Sequence, residues 1–249
     1  MVVSDMNPVA KHFDRVSSNY ARYFVNRKTG IHFCLQRRLE LSRELAAGTS
    51  GRLLDCACGT GEITCALITG GQFDAATLND ISAAMQEKAR ALLAAEAPSV
   101  SSRFVQSDIF EFAPGDEKFD FIMCLGLIAH TGRLEQLLDR LKWLLAPGGR
   151  ILLQTTLANH PHTVVLRMLT SSYYRKRFGY QLAYYTHADI VDACARNGLR
   201  IARSRRYQVG FPLLHQLWAW GSFQVESRLQ RWASRYGTEA IYLIERDGQ

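Results

Sequence analysis

Apolar positions along this chain recur with two periods, one helical and one strand-like. Between residues 7 and 47 the spacing is helical. Ile31, Phe33, Cys34, Leu35, Leu39, Leu41 and Leu45 form one broad stripe, with Asn7-Pro8 suited to a helix start and Gly48 to a stop. Beyond Gly51, short apolar runs alternate with helical stretches. Leu53 and Leu54 enter a turn holding Ala57, Gly59 and Gly61, and residues 62–68 resume the helical period. Further strands are predicted over 73–78, 101–106, 119–125, 150–156, 199–209 and 239–245. Helices are predicted over 83–93 behind a Ser82 cap, over 134–145 before Pro147-Gly148-Gly149, and over 187–197 between Thr186 and Gly198. The run at 119–125 is nearly all apolar, as a central parallel strand covered on both faces requires. Near the end of the chain Leu214, Trp218, Gly221, Val225, Leu229 and Trp232 share one helical face, read as packing on their own domain, with Glu226, Arg228 and Arg231 elsewhere.

The stretch Gly51-Arg-Leu-Leu-Asp-Cys-Ala-Cys-Gly-Thr-Gly61 is a strand, a glycine turn and a helix start. Small residues let backbone approach a ligand lying across such a turn, and a Cβ at Gly59 or Gly61 is expected to fill that space. The helix behind it offers unpaired N–H groups to an anionic or carboxylate-bearing ligand. A dinucleotide fingerprint needs a third glycine, and Thr64 stands there, which disfavours an NAD-dependent oxidoreductase.

With Asp55 two residues before Ala57, and with Gly59-Thr60-Gly61, the stretch resembles motif I of the class I S-adenosylmethionine-dependent methyltransferases. Ala57 stands where the first glycine is usual. The resemblance continues in Leu144-Leu-Ala-Pro-Gly-Gly-Arg-Ile-Leu-Leu153, typical of that superfamily, and in His12-Phe13-Asp14 with Tyr20, similar to the entry segment of the ubiquinone/menaquinone type. It implies an α/β, Rossmann-like, doubly wound sheet of seven strands with helices on both faces and the last strand pair antiparallel. It also implies a helical lid over residues 1–48 and a methyltransferase domain over 49–249, with an aromatic substrate cover at 157–186 and a helical insertion at 211–235. For the cofactor it implies Asp55, Ala57, Gly59 and Gly61 in the turn, Asp80 on the ribose with Ile81 against the adenine, Asp108 and Ile109 at the adenine edge and face, and Leu125 at the methionine end. Asp80→Ala is then expected to weaken cofactor binding and leave the fold intact.

Length and composition agree with one large α/β domain: 249 residues, 47% hydrophobic and 21% charged. Six cysteines without CxxC spacing read as buried reduced thiols. Alternation is expected to point Cys56 and Cys58 to one face, without the further ligands a metal site needs. No leader and no run of about 18 apolar residues is present, so a cytoplasmic, soluble chain is expected. The net charge of +7 is uneven: residues 1–149 carry −1 and residues 150–249 carry +8, with clusters at Arg175-Lys176-Arg177 and at Arg200, Arg203, Arg205 and Arg206. That asymmetry leaves peripheral membrane contact open. Cys124-Leu125-Gly126-Leu127 replaces the Asp/Asn-Pro-Pro-aromatic motif of amino methyltransferases acting on nucleic-acid bases, so no nucleic-acid partner is expected.

The expected function is methyl transfer from S-adenosylmethionine, with S-adenosylhomocysteine as product, to an O, N or C atom of a small, aromatic or partly apolar acceptor. Such a displacement chiefly needs alignment in a dry site. His130, just past the fourth strand, is the candidate base for an acceptor that arrives protonated, and Tyr20 the candidate for shaping or polarising the site. The tyrosines at 173, 174 and 180 are candidates for the acceptor wall. A cofactor-binding or interaction protein without catalysis on the same fold is the competing reading.

Overall fold

The computed structural model describes residues 7–20, 30–165, 167, 168, 176, 179–209 and 218–248. Tyr173, Tyr174, Arg175, Arg177 and Leu214 lie outside the described residues. Two helices, α1 (Pro8–Tyr20) and α2 (Gly30–Ala46), come first. Then follow β1 (Arg52–Asp55), α3 (Glu62–Ile68), β2 (Ala75–Asp80), α4 (Ala83–Glu96), β3 (Ser101–Gln106), β4 (Phe119–Leu125), α5 (Ile128–Thr131), α6 (Leu134–Leu144) and β5 (Leu145–Thr156). The chain ends with α7 (His187–Arg196), β6 (Leu199–Tyr207), α8 (Ala219–Arg228), α9 (Gln230–Tyr236) and β7 (Glu239–Arg246).

Local chemistry fixes many of these boundaries. The Asn7 side chain accepts the Val9 N–H at 2.9 Å with Pro8 at the first helical position. Ser82 caps α4 by accepting from Met85 N, and Thr186 and Asp189 form a reciprocal capping box on α7. The strands form one sheet in the order β3-β2-β1-β4-β5-β7-β6, as the doubly wound reading requires. β1 to β5 are parallel, and β7 runs antiparallel to both β5 and β6. Glu239, the first residue of β7, therefore sits opposite Thr156 and Tyr207, at the edge where the parallel strands end. The strand order reverses between β1 and β4, and it is outside the carboxyl ends at such a reversal that open α/β sheets form their ligand crevice.

Each face of the sheet carries its own core. On one side Leu137, Leu138, Leu141 and Leu144 of α6 and Ile190 of α7 meet Leu54, Ile122, Cys124 and Leu153. On the other Leu41, Leu45, Leu67 and Leu93, from α2, α3 and α4, meet Leu53, Phe121, Met123 and Leu152. Burying a side chain of this size contributes about 1.5–3 kcal/mol.

Four sequence expectations are corrected here. Cys56 packs in the first core and Cys58 in the second, because β1 ends at Asp55 and strand alternation ends with it. The Pro147-Gly148-Gly149 run is a register shift inside β5 rather than a loop ahead of it: Leu145 pairs with Phe119 and Arg150 with Phe121. The single helical face near the C-terminus is broken at Leu229 into α8 and α9; Gly221, Val225 and Leu229 stay on its inner side, but Trp218 and Trp232 are exposed and Glu226 is buried. Gly61 serves packing: a Cβ there would meet the Ala89 Cβ at 3.0 Å and the Ala89 Cα at 3.1 Å, so its absence lets α3 approach α4.

Gly61→Ala is expected to destabilise the fold by about 2–4 kcal/mol, combining a left-handed φ at a residue with Cβ and overpacking. Gly48→Ala, at φ +77° with nothing within 4 Å of its added Cβ, carries only the conformational cost. Urea denaturation of the two variants checks this, and equal losses would exclude the packing role of Gly61.

Candidate functional site

At the carboxyl end of β1 the chain turns through Cys56 to Gly61 before α3 begins. Asp55 is 4% exposed; its carboxylate accepts from Ala57 N at 3.3 Å and from the Thr64 hydroxyl at 2.6 Å, tying the strand to the turn and to α3. Burial pushes its carboxyl up to about 7, against those two hydrogen bonds and with a further push from Asp80. Gly59, at φ +53°, directs the open side of its α carbon towards the Tyr20 ring, whose Cε1 would lie 3.7 Å from an added Cβ. An aromatic ring on α1 thus lies within van der Waals reach of the side of the turn that Gly59 leaves without a Cβ.

Asp80 closes β2 and is 7% exposed. Its Oδ2 accepts the Gly59 N–H at 2.8 Å and its Oδ1 accepts the Ser82 N–H at 2.9 Å. Burial raises this carboxyl too. Asn79 joins the neighbouring strand ends, donating to the carbonyls of Cys56 and Ser107 and accepting from the Ser107 hydroxyl. Past β3, Asp108 accepts from Phe110 N at 3.0 Å and stays partly exposed, as does Ile81. Ile109 does not face the crevice. It is 3% exposed and belongs to the core beneath α6, leaving Phe110, under the Arg133 guanidinium at 3.8 Å, as the nearest ring.

The first helix lies across this edge. Asp14 accepts from the Ser82 hydroxyl at 2.5 Å and from Ala84 N at 3.2 Å, seating α1 on the N-terminus of α4. One residue earlier Phe13 meets the His130 ring edge-on at 5.1 Å, and the Tyr180 hydroxyl lies 2.6 Å from His130 Nδ1. Burial, with His12 adding to it, lowers His130 to about 4, so its ring is neutral across the neutral range. Burial raises Tyr180, which keeps its proton there. Burial raises Tyr20 as well, against the Arg38 charge.

A third group was not read from the sequence. Arg38 on α2 donates from Nε to the Tyr207 hydroxyl at 3.2 Å. Its Nη1 and the Gln154 Oε1 lie 3.8 and 3.7 Å from where a Cβ on Gly126 would stand, so both point at the backbone just past β4. Gln154 Oε1 is buried and has no hydrogen-bond partner. Gln154 donates through Nε2 to Glu239, which also accepts from Thr156 at 2.8 Å. Burial raises Glu239, opposed first by the Arg38 charge. Leu125, directly before Gly126, is partly buried.

Residues 23–204 match a methyltransferase domain. The chain belongs to that family. The class I superfamily resemblance is borne out in family and fold. Among relatives, the demethylmenaquinone methyltransferase of Clavibacter sepedonicus is 31% identical over 145 residues, covering 58% of this chain and 56% of that protein. The chain thus spans a little over half the length of that curated relative. Among solved structures, magnesium protoporphyrin IX methyltransferase from Synechocystis PCC 6803 with bound SAH aligns with a TM-score of 0.68 at 17% identity over 98% of this chain and 100% of the other. Mycolic acid cyclopropane synthase CmaA1, complexed with SAH and CTAB, also gives 0.68 at 17% identity, over 95% and 96%.

In this methyltransferase family member, Asp55, Ala57, Gly59, Asp80, Ile81, Asp108, Leu125 and Tyr20 fall along one sheet edge, with His130 at its far side. Ile109 is committed to the core, and Gly61, although in the same turn, faces Ala89 with the side where a Cβ would stand. Nothing in the spacing of Arg38, Gln154 and Glu239 announces them. The signal that finds Glu239 is the antiparallel last strand, which returns its first residue to the active edge.

Because Asp80 receives two turn N–H groups, the expectation that Asp80→Ala spares the fold is revised. Each such charge-assisted bond is worth about 1.5–3 kcal/mol. The variant is expected to lose stability without any ligand, measured by urea denaturation; unchanged stability would return Asp80 to a purely ligand-binding role. Asp55 carries a pH dependence. The unfolded carboxyl releases its proton near its ordinary value of 3.8 while the folded one holds it to about 7, so stability falls as pH rises through that window. Asp55→Asn is expected to flatten the fall, and a profile matching the wild type would exclude Asp55 as its source.

Proposed function

We propose that this methyltransferase binds S-adenosylmethionine across the Gly59 turn and transfers its methyl group to a small, partly apolar acceptor held beside His130. The observation that carries the reading is the open side of Gly59, walled by Tyr20 and pinned beneath by Asp80. A flat, hydroxyl-bearing ligand fits a ring wall next to a carboxylate with spare acceptor capacity. The buried orphan oxygen of Gln154 supports the fit at the other end. A guanidinium, an unpartnered amide oxygen and a carboxylate form the donor and acceptor set for an α-amino acid zwitterion, so Arg38, Gln154 and Glu239 are assigned to the methionine end, with Leu125 and Gly126 beside it.

Bound there, S-adenosylmethionine supplies an electrophilic methyl on a cationic sulfur. The residues align and desolvate. Asp80 and Ile81 hold the ribose and adenine side with Asp108, and α1, as a lid within residues 1–48, excludes water through Phe13 and Tyr20. His130, neutral and hydrogen-bonded to Tyr180, accepts the proton of an arriving hydroxyl or amine at an imidazole nitrogen, directly or through the phenol. The Phe13, His130 and Tyr180 rings suit a planar or partly apolar acceptor. Solved structures of this fold that carry SAM or SAH support the choice of cofactor, and the name of the demethylmenaquinone methyltransferase relative is what supports a partly apolar acceptor.

Thermal-shift titration tests the cofactor: stabilisation by S-adenosylhomocysteine and not by NAD is expected, and the reverse would overturn the reading. Arg38→Met is expected to weaken S-adenosylhomocysteine by about ten- to a hundredfold, the loss of one charge-assisted contact. Methylthioadenosine, which lacks the amino acid end, should bind both proteins alike in calorimetry. Equal weakening of the two ligands would remove Arg38 from the methionine end.

A further inference from the structure

Some arginines of the basic C-terminal half are compensated by carboxylates and some are not. Arg196 pairs with Glu135, Arg200 with Glu245, and Arg203 and Arg205 share Glu44. Arg228, Arg231 and Arg235 are exposed, and among the described residues none of them is in an ion pair with a carboxylate. Arg231 and Arg235 lie four residues apart on α9, at neighbouring surface positions, and Arg228 ends α8 just ahead of it.

Aromatic rings stand among these charges. Trp232 is 66% and Tyr236 51% exposed, their rings 5.8 Å apart, and the Arg235 guanidinium lies 5.5 Å over the Tyr236 ring. Of the residues of α9 only Ala233 is buried, so the helix is seated by one small side chain and turns its large ones outward. The His160 Nε2 bonds the Tyr236 carbonyl at 2.7 Å, which joins the helical turn after it to the same surface. That turn exposes Val164 and Val165, and Met168 beyond it is 78% exposed. Scattered apolar side chains on a surface are ordinary; this grouping of aromatic, aliphatic and uncompensated cationic ones is not.

We infer that α9, with the flanking Arg228 and the surface after His160, docks on an anionic phospholipid membrane. Tryptophan and tyrosine settle where one end of the ring is apolar and the other wet, and arginine spans the same boundary with its stem in hydrocarbon and its head among phosphates. Uncompensated positive charge selects anionic headgroups. Val164, Val165 and Met168 add an exposed aliphatic surface to the rings, which suits hydrocarbon and favours lipid over nucleic acid. No helix among the described residues is long and apolar enough to cross a membrane, so the contact is interfacial. Its place in the fold gives it a use. Only Gly237 and Thr238 separate Tyr236 from Glu239 at the active edge, so the docked face borders the site and brings it near an acceptor dissolved in the bilayer.

Co-sedimentation of the full chain with vesicles of phosphatidylcholine alone, or of phosphatidylcholine and phosphatidylglycerol in equal parts, tests the inference. Binding is expected on the anionic vesicles, weakened at high salt. Trp232→Ser with Tyr236→Ser, and separately Arg228→Glu with Arg231→Glu and Arg235→Glu, should each lower the bound fraction severalfold. Stabilisation by S-adenosylhomocysteine should remain as in the wild type, so that loss of the surface and loss of the cofactor site are read apart. A wild type that stays in the supernatant, or variants that sediment like it, would overturn the proposal. So would binding of an oligonucleotide by the wild type with none to vesicles, which would assign the patch to nucleic acid. A dimer in light scattering that the Trp232 variant dissolves, without vesicle binding, would assign it to a second copy of the chain.

Discussion

A single buried carboxylate, that of Asp80, holds the carboxyl edge of the parallel strands in shape. It receives the N–H of Gly59 from the turn after β1 and the N–H of Ser82 from the start of α4. Those donors belong to neither a strand ladder nor a helix interior, and at this depth each would be costly to leave unpaired. Ser82 in turn caps α4 and donates to Asp14, so the orientation of α1 over the edge also depends on the Asp80 corner. On the proposed reading, the position the ligand needs is one the backbone needs first: binding and folding would share one group, and a substitution there would read out in both.

The same coupling explains how far the sequence could be read. Strand and helix periods located the strands and the alternation, because parallel strands covered on both faces leave long apolar runs and helices leave stripes. The glycine turn was legible because φ +53° and +87° demand glycine whatever the function. Its reason was legible only in part, since Gly59 opens on the ligand side and Gly61 on Ala89. Cys56 and Cys58 were misplaced by extending alternation three residues past the end of the strand. Ile109 was given to the ligand because the pattern marks a strand end without saying which of two adjacent side chains the next helix will cover. Trp232 and Glu226 exchanged roles when one inferred helix became two, a break that no proline or glycine marks.

Arg38, Gln154 and Glu239 stand for what periodicity cannot supply. They come from α2, β5 and β7, with more than eighty residues between each and the next. Each looks like a surface or strand-end polar residue in its own segment. Their meeting is a product of topology: β5 ends where β7 begins because β7 runs backwards, and α2 crosses above both.

These groups also give the site an electrostatic character that bears on turnover. Asp55, Asp80 and Glu239 are all raised by burial, and Arg38 is the one cation that acts on Glu239 from within the cluster. A cationic ligand entering such a place is attracted by the carboxylates and stabilises their ionised forms, while a neutral ligand of the same shape gains only the shape. On the proposed reaction the sulfur enters as a cation and leaves neutral. The acidic lining then loses its attraction at the moment the methyl group departs, whereas the aromatic and amino acid contacts stay as they were. Product is held less tightly than the methyl donor by the margin of that one charge, and the burial that makes these carboxylates costly to ionise in the empty site works towards emptying it again.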